Sequence, residues 1–205
     1  MSPLPRAVLT AILLILPLGA AAAPPEAAPV TALDDGLIAA MKAGSAGQTF
    51  QQRYNALDPV VTASFNLAAI TQNSVGFLWT TLPAAQQQRL AALFEQFTVA
   101  SYVSQFSSYG GEAFTLLPAE KELEAKKIVE TQIAPADGSA PTRLDYVVAD
   151  GAQGWRITDI LLNGTISQVA VHASDFSALV TSGDASQLIS ALQNKITALS
   201  GGGRQ

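Results

Sequence analysis

From about residue 34 the apolar positions recur every three to four residues, and after residue 111 they alternate. The first period predicts helices and the second predicts strands. Asp34 begins a helical pattern carrying Leu37, Ile38 and Met41, which Gly44 stops. Thr49 to Leu57 predicts a second helix, and Asp58-Pro59 opens a third, short one with Pro59 at the first helical position. Leu67 to Trp79 is again apolar at helical spacing. The longest helix starts at Pro83 and runs to about Tyr109, where Gly110-Gly111 ends it. Leu90, Leu93, Phe94 and Phe97 share one face of it, whereas Val99, Tyr102, Val103 and Phe106 fall on nearly the opposite face. A helix whose apolar stripe changes sides touches two different bodies along its length. It either threads a core or lines a cavity.

Glu112 to Leu117 predicts a strand and Lys127 to Ala134 another, with the charged Ala119 to Lys127 stretch as a solvated hairpin in preference to a short helix. Asp137-Gly138 and Asp150-Gly151 are turns. Thr142 to Ala149 alternates, with Leu144, Tyr146 and Val148 on one side; Gly154 to Leu162 and Thr165 to Val171 complete the set. Between the last two, Asn163-Gly164 is a strong turn signal. Two helices close the chain, Ser174 to Thr181 and one capped by Asp184 with Gln187 in the capping-box position. Helices followed by strands joined through tight turns predict an α+β fold. Its N-terminal half is mainly helical, its long central helix packs on a twisted antiparallel sheet, and C-terminal helices close it. An apolar pocket lies between helices and sheet.

The ends change the picture. Arg6 is followed by an apolar run from Ala7 to Gly19 and small residues at Ala20 to Ala23, the pattern of a cleaved secretory signal peptide over 1–22. Residues 23–31, rich in Ala and Pro, read as a flexible lead-in, 32–200 as the folded domain and 201–205 as a disordered tail. Without Arg6 the chain keeps 10 basic residues against 16 acidic, a net charge near −6. With no run of Lys or Arg, that charge argues against nucleic acid as a partner. An exported chain with no cysteine and a bacterial-style leader points to the periplasm.

Composition also narrows the chemistry. No cysteine and one histidine remove thiol nucleophiles, Cys-rich or multi-His metal sites and iron–sulfur clusters. His172 stands beside Ser174 and Asp175, but neighbouring positions in one segment rarely form a Ser–His–Asp geometry, so a surface or strand-end role is expected. Glu95, Glu112, Asp145 and Asp159 are read as caps, ion-pair partners or solvated groups. No catalytic residue, metal site or cofactor is expected, and the protein is read as no enzyme. Apolar surface without chemistry points to binding. The aromatics gather on the long helix (Phe94, Phe97, Tyr102, Phe106, Tyr109) and on the strands (Phe114, Tyr146, Trp155). As a group they outline a concave apolar site.

The order and spacing of several short motifs carry a resemblance. Gly76, Trp79-Thr80-Thr81-Leu82, Gln86 and Phe94 come first, then Phe106 and Tyr109-Gly110-Gly111-Glu112. Val129-Glu130-Thr131, Asp137-Gly138, Leu144-Asp145-Tyr146, Gly154-Trp155, Asp159, Gly164, Ser167 and Phe176 follow. From about Phe65 to Ile196 the chain resembles the MlaC-type periplasmic lipid-binding proteins, the toluene-tolerance family of ABC-transporter auxiliary components. Pro83, Asn163 and Ala173 stand where that family commonly has Ser, Glu and Arg. Asn163-Gly164-Thr165-Ile166-Ser167 looks more like the hopanoid-associated branch, HpnM.

The resemblance implies a soluble shuttle carrying a hopanoid or phospholipid between an inner-membrane ABC transporter or lipid exporter component and an outer-membrane acceptor. On that reading the lipid-binding walls are Phe97, Val103 and Phe106 of the long helix with Val129, Ile133, Tyr146, Ile160 and Val169 of the sheet. The alternative is a periplasmic adaptor whose apolar groove holds a protein partner. A third class, a lipid-modifying enzyme, would rest on His172 or a carboxylate pair.

Overall fold

A computed structural model describes residues 24–201, apart from the side chains of Ala119 and Glu120. The signal peptide read over 1–22 and the tail from Gly202 lie outside the described residues. The lead-in is not a lead-in: a 3-10 turn at Pro25–Ala27 runs straight into helix α1, Ala28–Ser45. Ala27, Val30, Leu33, Leu37 and Met41 are buried at helical spacing, so this segment is part of the core. Its prolines mislead because Pro25 and Pro29 occupy first-turn positions, where no backbone N–H is needed. Gly44 does not stop α1. It lies within the last turn, where a Cβ would come within 1.9 Å of the Ser107 carbonyl oxygen, so only glycine lets the two segments touch.

Helix α2, Phe50–Ser64, passes through Pro59, merging two expected helices into one. Thr49 and Gln52 close a reciprocal capping box at its start (3.2 and 2.9 Å). An internal proline costs roughly 3 kcal/mol, and here Leu57 and Val61, buried on either side of it, hold the helix together. Helix α3, Leu67–Val75, is capped by Asn66 and followed by a 3-10 turn, Gly76–Thr81. Helix α4, Ala84–Gln105, begins after Pro83 as expected but ends before Phe106. There the Arg53 guanidinium of α2 donates to the carbonyls of Val103 (2.8 Å) and Phe106 (3.3 Å), which terminates the helix from outside.

Five antiparallel strands follow in sequence order: β1 Ala113–Leu123, β2 Lys126–Ala134, β3 Thr142–Ala149, β4 Arg156–Leu162 and β5 Ile166–Ser167. The charged stretch is a hairpin turning at Glu124, which adopts φ 55°. Val129, Tyr146 and Ile160 stand side by side on the face toward the helices, with Thr131, Leu144 and Leu162 as the next row. On the other face Glu130 pairs with Lys121 (2.7 Å) and Arg143 (2.6 Å), and Arg143 with Asp145 (2.8 Å). Asn163 and Gly164 both have positive φ (53° and 75°), as a tight hairpin turn requires.

The strand expected over Thr165 to Val171 stops after two residues, and the helix expected from Ser174 starts early. Helix α5 covers Gln168–Phe176. Ser167 accepts the Ala170 N–H (3.0 Å), while the Asp159 carboxylate accepts the Val169 N–H (3.1 Å) and the Ser167 hydroxyl (2.5 Å). These caps outweigh the β-branched character of Val169 and Val171. Helix α6, Ser186–Gly201, is entered through Asp184, which accepts the Ser186 N–H, and through Gln86 of α4, which accepts the Ala185 N–H (2.7 Å). The α+β architecture read from the sequence is therefore the observed one, with an antiparallel sheet carrying helices on one face. Among the described residues no helix is long and apolar enough to cross a membrane.

One carboxyl is buried where α1 meets the sheet. Asp34 is 8% exposed. Burial, with Asp35 alongside, pushes its pKa up to about 7, partly offset by a hydrogen bond from Tyr146. The folded state thus holds this proton more tightly than the unfolded chain. Its stabilising effect is fully present below the ordinary value of 3.8 and fades as pH rises toward about 7. Asp34→Asn should therefore gain on the wild type steadily between pH 4 and pH 8, reaching a few kcal/mol of relative stability. Urea denaturation at several pH values measures this; a pH-independent difference would contradict the assignment. Arg53→Leu should lower stability by about 2–3 kcal/mol through the abandoned carbonyls at the end of α4, read from the same midpoints.

Candidate functional site: a cleft between α4 and the sheet

One flank of α4 does not touch the sheet directly. Phe97, Ser101, Tyr102, Gln105 and Phe106 face a cleft of about 440 Å3, with Leu144, Tyr146, Ile160 and Leu162 of the sheet opposite. Leu67 and Ile70 of α3, Leu37 of α1 and Val169 and His172 of α5 close the sides. This volume lies within the usual range for small-molecule sites, roughly 300–1,000 Å3. A depression of about 480 Å3 between α1, α2 and the Trp155 loop is slightly larger; half of its wall is Ala and Pro, and Trp155 is its only aromatic ring.

Aromatic rings gather at both ends of the cleft. At one end Phe94 meets Phe97 (6.2 Å between centroids), and the His172 imidazole sits edge-on to Phe94 (5.3 Å) and stacks on Phe176 (5.5 Å). At the other, Tyr102 joins Phe65 (6.1 Å) and Phe106 (6.0 Å), and Phe106 reaches Phe114 (6.2 Å). Two polar groups on the wall are engaged within the protein. The Thr98 hydroxyl donates to the Phe94 carbonyl (2.8 Å), and Asp159 caps α5 and also accepts the Ile160 N–H (2.8 Å). Burial among the rings holds the His172 pKa below its ordinary value, so the imidazole is neutral at pH 7. It is not the surface or strand-end histidine that was expected, but part of a helix facing the cleft.

Of the wall residues read from the sequence, Phe97, Phe106, Tyr146, Ile160 and Val169 line the cleft. Val103 and Val129 do not: both are closed into the core. At 3.6 residues per turn Val103 lies roughly 160° around α4 from Ser101 and Gln105, and its backbone carbonyl is taken by Arg53. Ile133 shares the inward face of β2 with Val129, but it pairs with Phe114 and Thr142 beyond the cleft. Leu144 and Leu162 were missed, although period-two alternation with Tyr146 and Ile160 places them on the same face. Leu37, Phe65, Leu67 and Ile70 reach the cleft only through tertiary packing, for which the sequence holds no local signal. Among the described residues no group of three acidic or histidine side chains is arranged to hold a metal ion.

Comparison with known proteins now bears on this geometry. A phospholipid-binding protein from Ralstonia solanacearum, solved in complex with a phospholipid, has a similar fold: the TM-score is 0.73 at 20% identity, over 86% of this chain and 99% of that one. At such identity the likeness speaks for the shared architecture. The model of the family described as MlaC protein matches residues 31–194, which extends the likeness from the central helix back into α1. With that match running from α1 to α6, the chain belongs to the MlaC protein family.

Proposed function

We propose that the protein is a carrier that takes the apolar part of a membrane lipid into the cleft between α4 and the sheet. The observation that carries this reading is the aromatic-ended, apolar cleft itself, in a chain of the MlaC family. The structural neighbour binds a phospholipid, which makes the same cargo class the first to test here. The segment Asn163 to Ser167, similar to the hopanoid-associated branch, adds a hopanoid as the second cargo. Each buried methylene is worth roughly 0.8 kcal/mol, so a chain of about 15 methylenes is kept from water by about 12 kcal/mol. A carrier must replace the bilayer with apolar walls, and it needs neither nucleophile nor metal to do so.

The signal-peptide pattern supports a periplasmic setting, and the family resemblance implies carriage between an inner-membrane ABC system or lipid exporter component and an outer-membrane acceptor. In that role the protein binds and releases lipid without altering it.

Val169→Asp introduces a carboxylate into the wall, where it lacks a partner. The folded variant should lose more than tenfold in affinity for a fluorescent acyl-chain probe and for phospholipid, while the exposed change Gln193→Asp should leave both unaffected. Undiminished binding by folded Val169→Asp would overturn the cleft assignment. Failure of wild-type protein to bind any lipid would return the balance to the adaptor reading.

A further inference from the structure

We propose that the 3-10 turn between α3 and α4 is a bilayer-contact tip, from which Phe77 enters the apolar edge of a lipid surface. Phe77 is no part of the cleft wall, and attachment to a membrane is read without cargo, so the carrier reading is not needed for it.

Phe77 is 85% exposed, whereas its neighbours Leu78 and Trp79 pack against the core. Just before it, Gly76 turns the chain with φ 70° and ψ −146°, a conformation open essentially to glycine alone. The mount is firmly built. The Thr80 hydroxyl donates to the Phe77 carbonyl (3.2 Å), the Thr81 hydroxyl to the Leu78 carbonyl (2.7 Å) and the Gln87 amide to the Trp79 carbonyl (2.8 Å). Thr81 is tied in turn to the loop before α6, because its hydroxyl oxygen accepts the Gly183 N–H (3.1 Å). In water a turn has no need of such bonds, since solvent supplies the donors. Against lipid it does: hydrocarbon offers no donor, and each carbonyl must be satisfied from within. A protein surface can donate to open carbonyls, so their closure here favours a lipid.

Charge points the same way. No charged side chain occurs between Asp58 and Arg89, in a chain whose net charge is −5. The segment therefore meets a bilayer without stripping water from an ion. The loop that Thr81 touches brings Asp184, whose carboxylate Gln86 (3.1 Å) and Ser186 (2.6 Å) already engage. A projecting phenyl ring with Trp79 behind it suits the boundary between headgroups and acyl chains. Helix α3 runs from this tip back to Leu67 and Ile70 in the cleft wall, so a lipid surface held at Phe77 is joined to the cleft by a single helix.

The test is flotation of the folded protein with phosphatidylcholine vesicles, together with quenching of Trp79 fluorescence by bromine on their acyl chains. Quenching is read in a Trp155→Phe background, since the chain has two tryptophans; flotation needs no such change. Attachment and quenching are expected, with little dependence on salt because no ion pair forms. Phe77→Asp should weaken attachment about tenfold or more, and Phe77→Trp should keep it. Leu123→Asp alters another exposed apolar residue, on β1, and should leave attachment unchanged. No attachment of the wild type, equal attachment of folded Phe77→Asp, an equal loss in Leu123→Asp, or release by high salt would overturn the tip. A Phe77-dependent complex with a protein, with vesicles ignored, would overturn it in favour of a protein-docking surface.

Discussion

The architecture depends on the need of helix α4 to bury two opposite faces at once. Leu90, Leu93 and Phe94 face one way, toward α6 and α5; Val99 and Val103 face another, toward α2 and α1. No single neighbour can cover both. The helix is therefore gripped at its two ends by different bodies. Between those grips, Phe97, Ser101, Tyr102 and Gln105 face the sheet across open space. The cleft is the gap that this division leaves. Arg53 fixes its far end by capping the last turn of α4, and the Gln86–Ala185 contact fixes the near end against α6.

Because the walls come from α1, α3, α4, α5 and the sheet, the cleft is only as rigid as the packing among them. Asp159 is the joint that matters most on the sheet side. Its carboxylate ties the start of α5 to β4, and so sets where Val169 and His172 stand. Asp34 plays the opposite part. It keeps a carboxyl at the seam between α1 and the sheet, directly behind the Tyr146 floor, where burial works against its charge. The Asp159 carboxylate is thus fully engaged, whereas the Asp34 Oδ1 has no hydrogen-bond partner.

Much of this was legible from period alone. The alternation over Thr142 to Ala149 reproduces β3 residue for residue, and the switch of apolar side along α4 is the origin of the cleft. What failed did so for physical reasons. Ala and Pro suggested a linker before α1 because composition ignores that first-turn prolines are harmless and that Ala27 and Val30 pack. Pro59 suggested a break that packing on Leu57 and Val61 prevents. Val169 and Val171 suggested a strand where side-chain caps from Ser167 and Asp159 start a helix, and with it His172 moved from an expected surface place into the cleft. At the site, Phe97 and Phe106 were read as wall residues together with Val103, and separating Val103 from them required how the helices dock and not hydrophobicity. The contributions of Phe65 and Ile70 depend on how whole helices dock, which no local pattern encodes.

Native mass spectrometry of the folded protein isolated from its own cells, followed by solvent extraction and lipid identification, tests the central claim most directly. The account predicts a defined membrane lipid that leaves with the folded protein, its class separating phospholipid from hopanoid. A bare chain that also refuses added lipid would contradict it.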